Sequence, residues 1–505
     1  MKIRLVLADL CGTRGISVRY LSSYAKSKGI ETKLLFPLIP KGSFKKLARL
    51  TDLQKEQVLS FLQTYQITHF GCYLMTGQFL AFKELVIYLR KAGWKGCIIA
   101  GGIHASVRPE ETLFEGVDYA VIGPGEQSLV DIIQGKQDKE IRGLVYRSAD
   151  SIELNKISKE AYIPMDILPF PDYDLEDHFI IDAESVKQMT PSLYQQVSFW
   201  RGRYYYLTTT RGCVYRCSYC CNFDKDKVRR ASVDRVMEEL HYAKKKLPFL
   251  FGVNVQDDSF FMGSDEWLRE FSARYKKEFG WPFIIRITPK FVTEERIKML
   301  KDCGLNYVSL GLQGSDRINA DFYNRHIAAG DFLKACRILS KMRMFFVVDI
   351  ILDVVYETED DIREIARTIN QLSRPFKVMA FSMTPFPGTA FYDRVVKDGL
   401  LDKFGADAYE SMFTTSRPGA YKTPLYWRNL ISKIIPLCEG PHIDKLIESS
   451  PSDKESAAQV EMLYKKCQTN LKRANWLRQT FPALFTPLLK IYTFIKHLVP
   501  ARSSK

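Results

Sequence analysis

The chain has 505 residues, 46% hydrophobic and 26% charged, with a net charge of +15 and 11 cysteines. That length suffices for two or three domains with cores of their own, and the cysteines are too sparse for a disulfide scaffold. No segment offers about twenty uninterrupted apolar residues, and the N-terminus is typical of a buried strand rather than a secretory signal, so we expect a cytoplasmic protein. The charge is compatible with nucleic acid, anionic lipid or anionic substrates, or with an ordinary basic cytosolic protein.

Residues 1–140 alternate between strand and helix patterns. Strands are predicted at "IRLVLADL", "ETKLLFP", "THFGCYLM", "KGCIIAGG" and "DYAVIGPGE", and helices at "SVRYLSSYAKSKG" and "FLAFKELVIYLRKAG". This alternation predicts a doubly wound, Rossmann-like α/β domain, in which ligands bind beyond the carboxyl ends of parallel strands. The turn at Thr76 and the glycine turns at 101–102 and 123–125 lie at those ends.

Residues 141–203 are predicted to be an interdomain connector, because "ILPFPDYDLEDHF" has the proline and acidic punctuation of a loop. Residues 204–390 alternate again. Six strands are predicted near 204–210, 250–256, 283–287, 306–312, 345–352 and 378–384. Six strand–helix units predict a partial (βα)6 barrel that is open on one side.

Residues 391–505 are predicted to be a mainly helical C-terminal region that helps to form a substrate pocket or serves an accessory role. Apolar residues recur at helical spacing from Leu488 to Val499, with Lys490 and Lys496 off that stripe. The pattern fits a helix packed on the barrel, which we favour, or an interfacial membrane helix. In the second case the protein would lie at the inner face of the membrane and a lipid substrate would be favoured.

Four cysteines fall within nine residues in "TTTRGCVYRCSYCCNFD". Cys213, Cys217 and Cys220 form CxxxCxxC, and Cys221 directly follows. Structural zinc usually takes two separated cysteine pairs, and no second pair follows at that spacing. Three thiolates can instead hold a four-iron cluster and leave one iron open. From the spacing alone, zinc and chance clustering stay as alternatives.

This loop resembles the cluster loop of the radical SAM superfamily, CxxxCx(aromatic)C, with Tyr219 as the aromatic residue. The segments "VNVQDDSFFMGSDEWLREF", "ERIKMLKDCGLNYVSLGLQGSDRI", "VVDIILDVVYETEDDI" and "MTPFPGTAFYDRV" resemble barrel segments of the subgroup with an N-terminal cobalamin-binding domain. "IIAGGIHASVRPEETL" and "DYAVIGPGEQSLVDII" are similar to the glycine turns of those domains. The resemblance covers roughly residues 1–390.

The resemblance implies a 4Fe–4S cluster, S-adenosylmethionine and cobalamin as cofactors. It implies reductive cleavage of S-adenosylmethionine to a 5′-deoxyadenosyl radical, with methylation of an unactivated carbon in a small molecule or lipid as the simplest outcome. A flavodoxin or ferredoxin would donate the electron. A non-methylating cyclase or rearrangement enzyme is the alternative. An RNA-modifying enzyme is another, although no RNA-binding module is recognisable and a nucleic-acid partner is not expected.

Carried over residue by residue, the resemblance makes Cys213, Cys217 and Cys220 the catalytic cluster ligands and places Tyr219 against the adenine. Asp257 or Asp258 would meet the cofactor's ammonium group, although the family's Gly-Gly-Glu turn is lacking here. Arg286 would pair with its carboxylate, and Gln313 would meet its ribose or carboxylate.

On the cobalamin side the residues expected to bind are Thr76, Gly101, Gly102, His104, Gly123 and Glu126. The Asp-x-His-x-x-Gly motif that supplies an axial histidine elsewhere is absent from the sequence. His104 is therefore expected to cap a helix or contact the nucleotide tail rather than to ligate cobalt.

Overall fold

The computed structural model describes residues 3–10, 12–37, 49–149, 151–157, 162–182, 185–221, 228–404, 407–410 and 422–480, the last ten of these as backbone only. Two parallel-rich sheets, one in each half of the chain, organise the molecule. The doubly wound domain and the partial barrel expected from the sequence are both confirmed.

The N-terminal sheet has nine strands in the order β7-β6-β5-β4-β3-β1-β2-β8-β9. They are β1 (Arg4–Asp9), β2 (Glu31–Phe36), β3 (His69–Tyr73), β4 (Cys97–Gly101), β5 (Tyr119–Val121), β6 (Leu144–Ser148), β7 (Ser151–Leu154), β8 (His178–Asp182) and β9 (Ser185–Gln188). The strands from β5 to β8 in this order run parallel, and β6, β7 and β9 are antiparallel additions at the edges.

Helices cover both faces of this sheet. They are α1 (Ile16–Ser27), α2 (Asp52–Thr64), α3 (Phe79–Lys91), α4 (Ile103–Val107), α5 (Pro109–Thr112) and α6 (Glu126–Ile133). Alternate residues of β1 enter opposite cores, since Leu5 packs in the core that holds Val18 of α1, and Val6 in the core that holds Phe82 of α3. The order of the parallel strands reverses beside β1, which opens a crevice at the carboxyl ends of β1 and β3.

Residues 141–203 differ from the expected connector. They supply four edge strands of the N-terminal sheet, the β6–β7 hairpin at one edge and β8–β9 at the other. β8 pairs with β2 across more than 140 positions, from Leu34 to His178. Pairing over such a distance is decided by packing rather than by local pattern. The proline and acidic residues of this segment therefore predicted a loop although strands are present. A short helix, α7 (Pro191–Val197), then leads to the barrel.

The second sheet has six parallel strands in sequence order, and its end strands do not pair with each other, so the barrel stays open. They are β10 (Tyr204–Leu207), β13 (Gly252–Val255), β14 (Phe283–Ile287), β15 (Leu305–Gln313), β16 (Phe345–Leu352) and β17 (Lys377–Ser382). A separate antiparallel pair, β11 (Thr210–Arg211) with β12 (Arg229–Arg230), flanks the cysteine loop.

The barrel helices are α8 (Val233–Lys246), α9 (Asp265–Glu278), α10 (Glu294–Cys303), α11 (Ala329–Lys341), α12 (Glu359–Asn370) and α13 (Ala390–Lys397). Most begin after a serine or threonine whose hydroxyl accepts a hydrogen bond from the backbone three residues on, as at Ser232, Ser264, Thr293, Thr358 and Thr389. Such caps satisfy backbone N–H groups that a helix start leaves without partners.

The C-terminal helices pack on the last strand and helix units of the barrel, where residues 430–434 contact β17. They are α14 (Leu425–Asn429), α15 (Pro441–Glu448) and α16 (Lys454–Thr480). Asp353, just past β16, accepts hydrogen bonds from the backbone N–H of Thr423 and from Arg428, which ties this region to the barrel. The stripe between Leu488 and Val499 lies outside the described residues, and no helix within them is long and apolar enough to span a membrane.

Candidate functional site

A cavity of about 690 Å³ lies between the crevice of the N-terminal sheet and the loop that follows β10. The N-terminal domain contributes glycines and apolar side chains from α1 and from the ends of β3, β4 and β5, and the barrel half contributes Thr208, Arg211, Cys220, Cys221 and Asp258, among others. This volume falls within the range of about 300–1,000 Å³ typical of ligand pockets. Both halves of the chain therefore meet at one site.

Glycines form much of the N-terminal wall. Gly102 has φ +98°, and a Cβ there would come within 2.8 Å of the Leu74 carbonyl oxygen, so only glycine fits the turn. A Cβ at Gly101 would meet only the Val121 carbonyl oxygen, at 3.9 Å. A larger side chain at Gly101 would therefore extend into the cavity without disturbing the turn. The glycines of this wall lie among apolar side chains, such as that of Tyr73.

An ion pair joins the two walls. Arg211 donates to Oε1 of Glu126 at 2.8 Å, and its guanidinium lies 4.8 Å from the centre of the Tyr20 ring. Burial by itself raises the pKa of the Glu126 carboxyl, but Arg211 outweighs burial and holds the pKa below its usual value. The pair connects the glycine turn directly to the residue that precedes the cysteine loop by two positions.

The cysteine loop is held by backbone hydrogen bonds from distant segments. Ser218 donates its N–H to the Tyr323 carbonyl at 2.8 Å and accepts at its own carbonyl from the Phe391 N–H at 2.9 Å. The N–H of Cys220 donates to the Cys217 carbonyl at 3.1 Å. These hydrogen bonds fix the backbone of the turn that carries the thiols.

The three motif thiols lie close enough to influence one another. Burial raises the pKa of Cys213 to about 11, and the charges of Asp258, Cys217 and Cys220 add to this effect. In the described part of the chain, no three Cys, His, Asp or Glu side chains are arranged around one metal ion. A four-iron cluster does not need that arrangement, because each thiolate binds a different iron.

The two candidate carboxylates have different environments. Asp257 is fully buried and accepts hydrogen bonds from the backbone N–H groups of Thr209 and Thr210, at 2.7 and 2.9 Å. Burial raises its pKa to about 6. Asp258 instead lines the cavity and acts on the Cys213 thiol. Asp257 thus shapes the chain before the cysteine loop, and Asp258 faces the place where a ligand would lie.

Arg325 is a functional candidate that the sequence reasoning missed. Its guanidinium is buried, donates to the Gly311 carbonyl at 2.9 Å, lies 3.4 Å from the Tyr219 hydroxyl and contacts the Cys217 side chain. Its Nε has no hydrogen-bond partner among the described residues. The only sequence signal was an arginine twelve positions after Gln313, in a segment of no regular pattern.

Two residues expected on the cobalamin side lie away from the cavity. The His104 ring is fully buried, 3.3 Å from the Thr76 hydroxyl and 4.4 Å from the centre of the Phe79 ring. Burial, and then Arg108, lowers its pKa to about 4. Neither Thr76 nor His104 lines the cavity, whereas Gly101, Gly102, Gly123 and Glu126 do.

Three residues expected on the S-adenosylmethionine side lie within the barrel. Tyr219 packs edge-on against Tyr323 at 4.7 Å between ring centres. Gln313 ends β15 with φ +67°, a conformation that non-glycine residues rarely adopt. Arg286 lies on β14 opposite Ser309 of β15, and no described hydrogen bond joins it to the cysteine loop.

Comparison with known protein families identifies the two parts of the chain that form this site. Residues 207–369 match the model of the radical SAM superfamily, and residues 11–133 match the B12 binding domain. The chain is a radical SAM protein with a B12-binding domain. Both matches agree with the resemblance drawn from the cysteine loop and the glycine turns, which is thereby confirmed.

Relatives of this radical SAM protein are distant. Bacteriochlorophyllide d C-8(2)-methyltransferase from Chlorobaculum tepidum is 22% identical over 364 residues, which cover 70% of this chain and 73% of the relative. Anaerobic magnesium-protoporphyrin IX monomethyl ester cyclase from Cereibacter sphaeroides is 23% identical over 294 residues, 53% of this chain and 44% of the relative.

The same fold occurs in the solved structure of the cobalamin-dependent S-adenosylmethionine radical enzyme OxsB with aqua-cobalamin and S-adenosylmethionine bound. The TM-score is 0.65 at 15% identity, over 95% of this chain and 75% of OxsB. The chain is thus a cobalamin-dependent radical SAM enzyme, whose cofactors are a 4Fe–4S cluster, S-adenosylmethionine and cobalamin.

The residues present fit these groups. The donor set of the cysteine loop is three thiols, which suits an iron–sulfur cluster with one open iron. The buried Nε of Arg325 beside Cys217 and the carboxylate of Asp258 at the cavity offer complementary charges for an amino acid group. The glycine turn leaves cobalamin room at the centre of an otherwise apolar wall.

Proposed function

We propose that this enzyme methylates an unactivated carbon of a small-molecule substrate. The observation that carries the proposal is the cavity shared by the glycine turns and by Cys220 of the cluster loop. Methyl transfer from cobalamin to a substrate radical requires both cofactors to face one protected space. The bacteriochlorophyllide relative, whose name records a methyltransferase, supports the same reading.

The residues of the chain have separable tasks in this proposal. When bound, the reduced cluster would supply the electron that cleaves S-adenosylmethionine, and cobalamin would supply the methyl group. Cys213, Cys217 and Cys220 hold the cluster. Asp258 accepts hydrogen bonds from the cofactor's ammonium group, and Arg325 pairs with its carboxylate.

The N-terminal wall receives the corrin in the same proposal. Gly101 and Gly102 keep side chains out of that space, and Glu126 holds the barrel against it through Arg211. No histidine is among the described residues that line the cavity. We therefore propose that the described residues would hold cobalamin through this wall without a histidine.

A second candidate is a reaction without methyl transfer, such as oxidative cyclisation. The observation that favours it is the similarity to the anaerobic cyclase, of which the chain covers 44%. Both reactions need the same two cofactors and the same cavity. The products distinguish them, because only methyl transfer consumes a second S-adenosylmethionine as methyl donor and releases S-adenosylhomocysteine.

The partner proposals follow from the reaction. A reduced flavodoxin or ferredoxin would supply the electrons. A lipid substrate and contact with a membrane surface through the C-terminus are further proposals that concern residues beyond those described. A chain truncated at Thr486 should lose binding to anionic liposomes if they hold, and unchanged binding would exclude the membrane contact.

The test is an anaerobic assay of the protein reconstituted with iron, sulfide and hydroxocobalamin, with a reductant and S-adenosylmethionine. Mass spectrometry would follow 5′-deoxyadenosine and S-adenosylhomocysteine, and absorbance would follow retained cobalamin. Both products rising with a methylatable substrate supports methyl transfer. Deoxyadenosine alone with retained cobalamin supports the second candidate. If a protein with a verified cluster forms neither product, both candidate functions are contradicted.

A further inference from the structure

The barrel sheet has one covered and one uncovered face. Side chains on the face under the helices are buried, with exposures of 1% or less at Val308, Leu310, Phe346, Val348 and Ile350. Because side chains alternate along a strand, the intervening residues belong to the other face. They include Tyr307, Ser309, Phe345 and Asp349, together with Arg286, which pairs in register with Ser309.

Two guanidinium groups stand out among the described residues of this face. Arg286 of β14 and Arg14, from the loop after β1, are both exposed, and neither makes a side-chain hydrogen bond or ion pair with another described residue. Arg14 lies 6.0 Å from the centre of the Tyr206 ring. Burial raises the pKa of Tyr206 to about 12, and Arg14 and Arg286 both counteract that rise, so both charges lie near this phenol.

Large apolar side chains are exposed on the same face or at its edge. Four of them have exposures of 39–50%, namely Phe199, Trp200, Phe345 and Met379. Phe199 lies 5.1 Å from Arg14, and Trp200 packs on Tyr204 at 4.9 Å. Met379 pairs in register with Asp349, and the Phe345 ring lies 6.4 Å from the Tyr307 ring. Exposed apolar residues gathered around cations are typical of a binding surface rather than of ordinary solvent-facing surface.

The charge balance of this face is positive. Among the described strand residues of this face, Asp349 is the acidic one, and its carboxylate accepts a hydrogen bond from the Ser309 hydroxyl at 2.6 Å. Burial raises the pKa of Asp349, whereas Arg286, Arg325 and Lys377 act in the opposite direction. Several cations therefore face one described carboxylate, which leaves an anion to be supplied from outside.

This face is continuous with the cavity. Tyr204 and Tyr206 of β10 alternate towards Thr208, one residue past the strand, and Thr208 lines the cavity. A molecule on the uncovered face would therefore reach the space beside Cys220.

We propose that the uncovered face binds the substrate, and that the substrate is an apolar molecule with an anionic group, a carboxylate or a phosphate, anchored by Arg14 and Arg286. This inference rests on the proposed function and adds the substrate class. It also assigns Arg286 to the substrate rather than to the S-adenosylmethionine carboxylate, which Arg325 is better placed to meet. The apolar body lies against Phe199, Trp200 and Phe345.

Equilibrium binding to the anaerobically reconstituted enzyme tests the proposal. The probes are protoporphyrin IX, its dimethyl ester, and farnesyl phosphate. The variants are Arg14→Gln, Arg286→Gln and Arg286→Lys, with Arg337→Gln as the matched control on the outer surface of α11. Circular dichroism would verify that each variant is folded.

We expect an anionic probe to bind at least about tenfold more weakly to Arg14→Gln and Arg286→Gln, as for loss of a charge-assisted hydrogen bond. Arg286→Lys should recover part of that affinity, and Arg337→Gln should match the wild type. The dimethyl ester should bind more weakly than the diacid. Preference for protoporphyrin or for farnesyl phosphate would identify the anion as carboxylate or phosphate.

The proposal is overturned if neither anionic probe binds, if diacid and ester bind equally, or if both Gln variants bind like the wild type. It is also overturned if Arg286→Gln weakens S-adenosylmethionine binding instead of probe binding. Deoxyadenosine release and cobalamin retention need no probe. If the wild-type enzyme releases deoxyadenosine and retains cobalamin but does not bind the probes, this inference alone is contradicted. If it neither releases deoxyadenosine nor retains cobalamin, the proposed function is contradicted.

Discussion

The two walls of the cavity are made of different materials. The N-terminal wall is apolar, with the glycine turn Gly101–Gly102 at its centre, and the barrel wall includes reactive or charged side chains such as Cys220 and Asp258. A glycine turn is disturbed by adding atoms, and a set of functional side chains by removing them. The difference separates a role in shape from a role in chemistry, and each can be tested by the opposite kind of substitution.

The largest effect is expected on the side-chain wall. Cys217→Ala removes one of three cluster thiolates, so iron content and 5′-deoxyadenosine release should both fall to background. Iron analysis and mass spectrometry measure these. Cys438→Ala, in the C-terminal region, is the control and should retain both. A Cys217→Ala protein that still releases deoxyadenosine would contradict the ligand assignment.

Adding atoms at the glycine turn should affect cobalamin binding alone. Gly101→Leu places a side chain in the cavity while its Cβ meets little, so the fold should persist and cobalamin affinity should fall about 10- to 100-fold. Retained cobalamin can be read by absorbance after gel filtration. Gly330→Leu, at the start of α11 where a Cβ meets nothing within 4 Å, is the control. Equal retention in both variants would remove Gly101 from the cobalamin site.

The adjacent carboxylates should respond differently to the same change. Asp258→Asn should keep its iron and bind S-adenosylmethionine about tenfold more weakly, because a charged hydrogen-bond acceptor is lost. Asp257→Asn should instead lose iron, since Asp257 holds the backbone of Thr209 and Thr210 ahead of the cluster loop. Equilibrium dialysis and iron analysis separate the two outcomes. The reverse pattern would exchange their roles.

The smallest effect is expected where the walls are joined. Glu126→Gln leaves Arg211 without its partner and should lower the free energy of unfolding by about 1–3 kcal/mol at pH 7. The folded pKa of Glu126 lies below its unfolded value, so the contribution is present above the unfolded pKa and is lost as the pH falls through the folded one.

Urea unfolding of both proteins at pH 7 and below pH 4 measures that dependence. Their midpoints should differ at pH 7 and converge in acid. Glu140→Gln, an exposed carboxylate of the same domain, is the control and should match the wild type at both values. A difference that persists unchanged in acid would mean that the ion pair is not its source.

Local sequence patterns predict the helices and strands, and the cysteine loop points to the cofactor chemistry. The strand–helix alternation placed both sheets, because buried parallel strands and amphipathic helices have periods that can be read along the chain. The cysteine loop could be recognised because its ligands lie within eight residues of one another. The site roles of Tyr219, Gln313 and the glycine turns stay predictions, since no ligand contact has been measured for them.

How distant residues meet follows from the three-dimensional fold. The fold gives Asp257 a role different from that of Asp258, because Asp257 accepts hydrogen bonds from residues 47 and 48 positions earlier in the chain. It also brings Arg325 to Cys217. His104 is buried outside the cavity, and residues 141–203, expected to be a connector, form edge strands of the N-terminal sheet. A local pattern shows which residues can form a strand or bind a ligand. Which of them face the cavity depends on packing between segments far apart in the chain, and that packing has no local pattern.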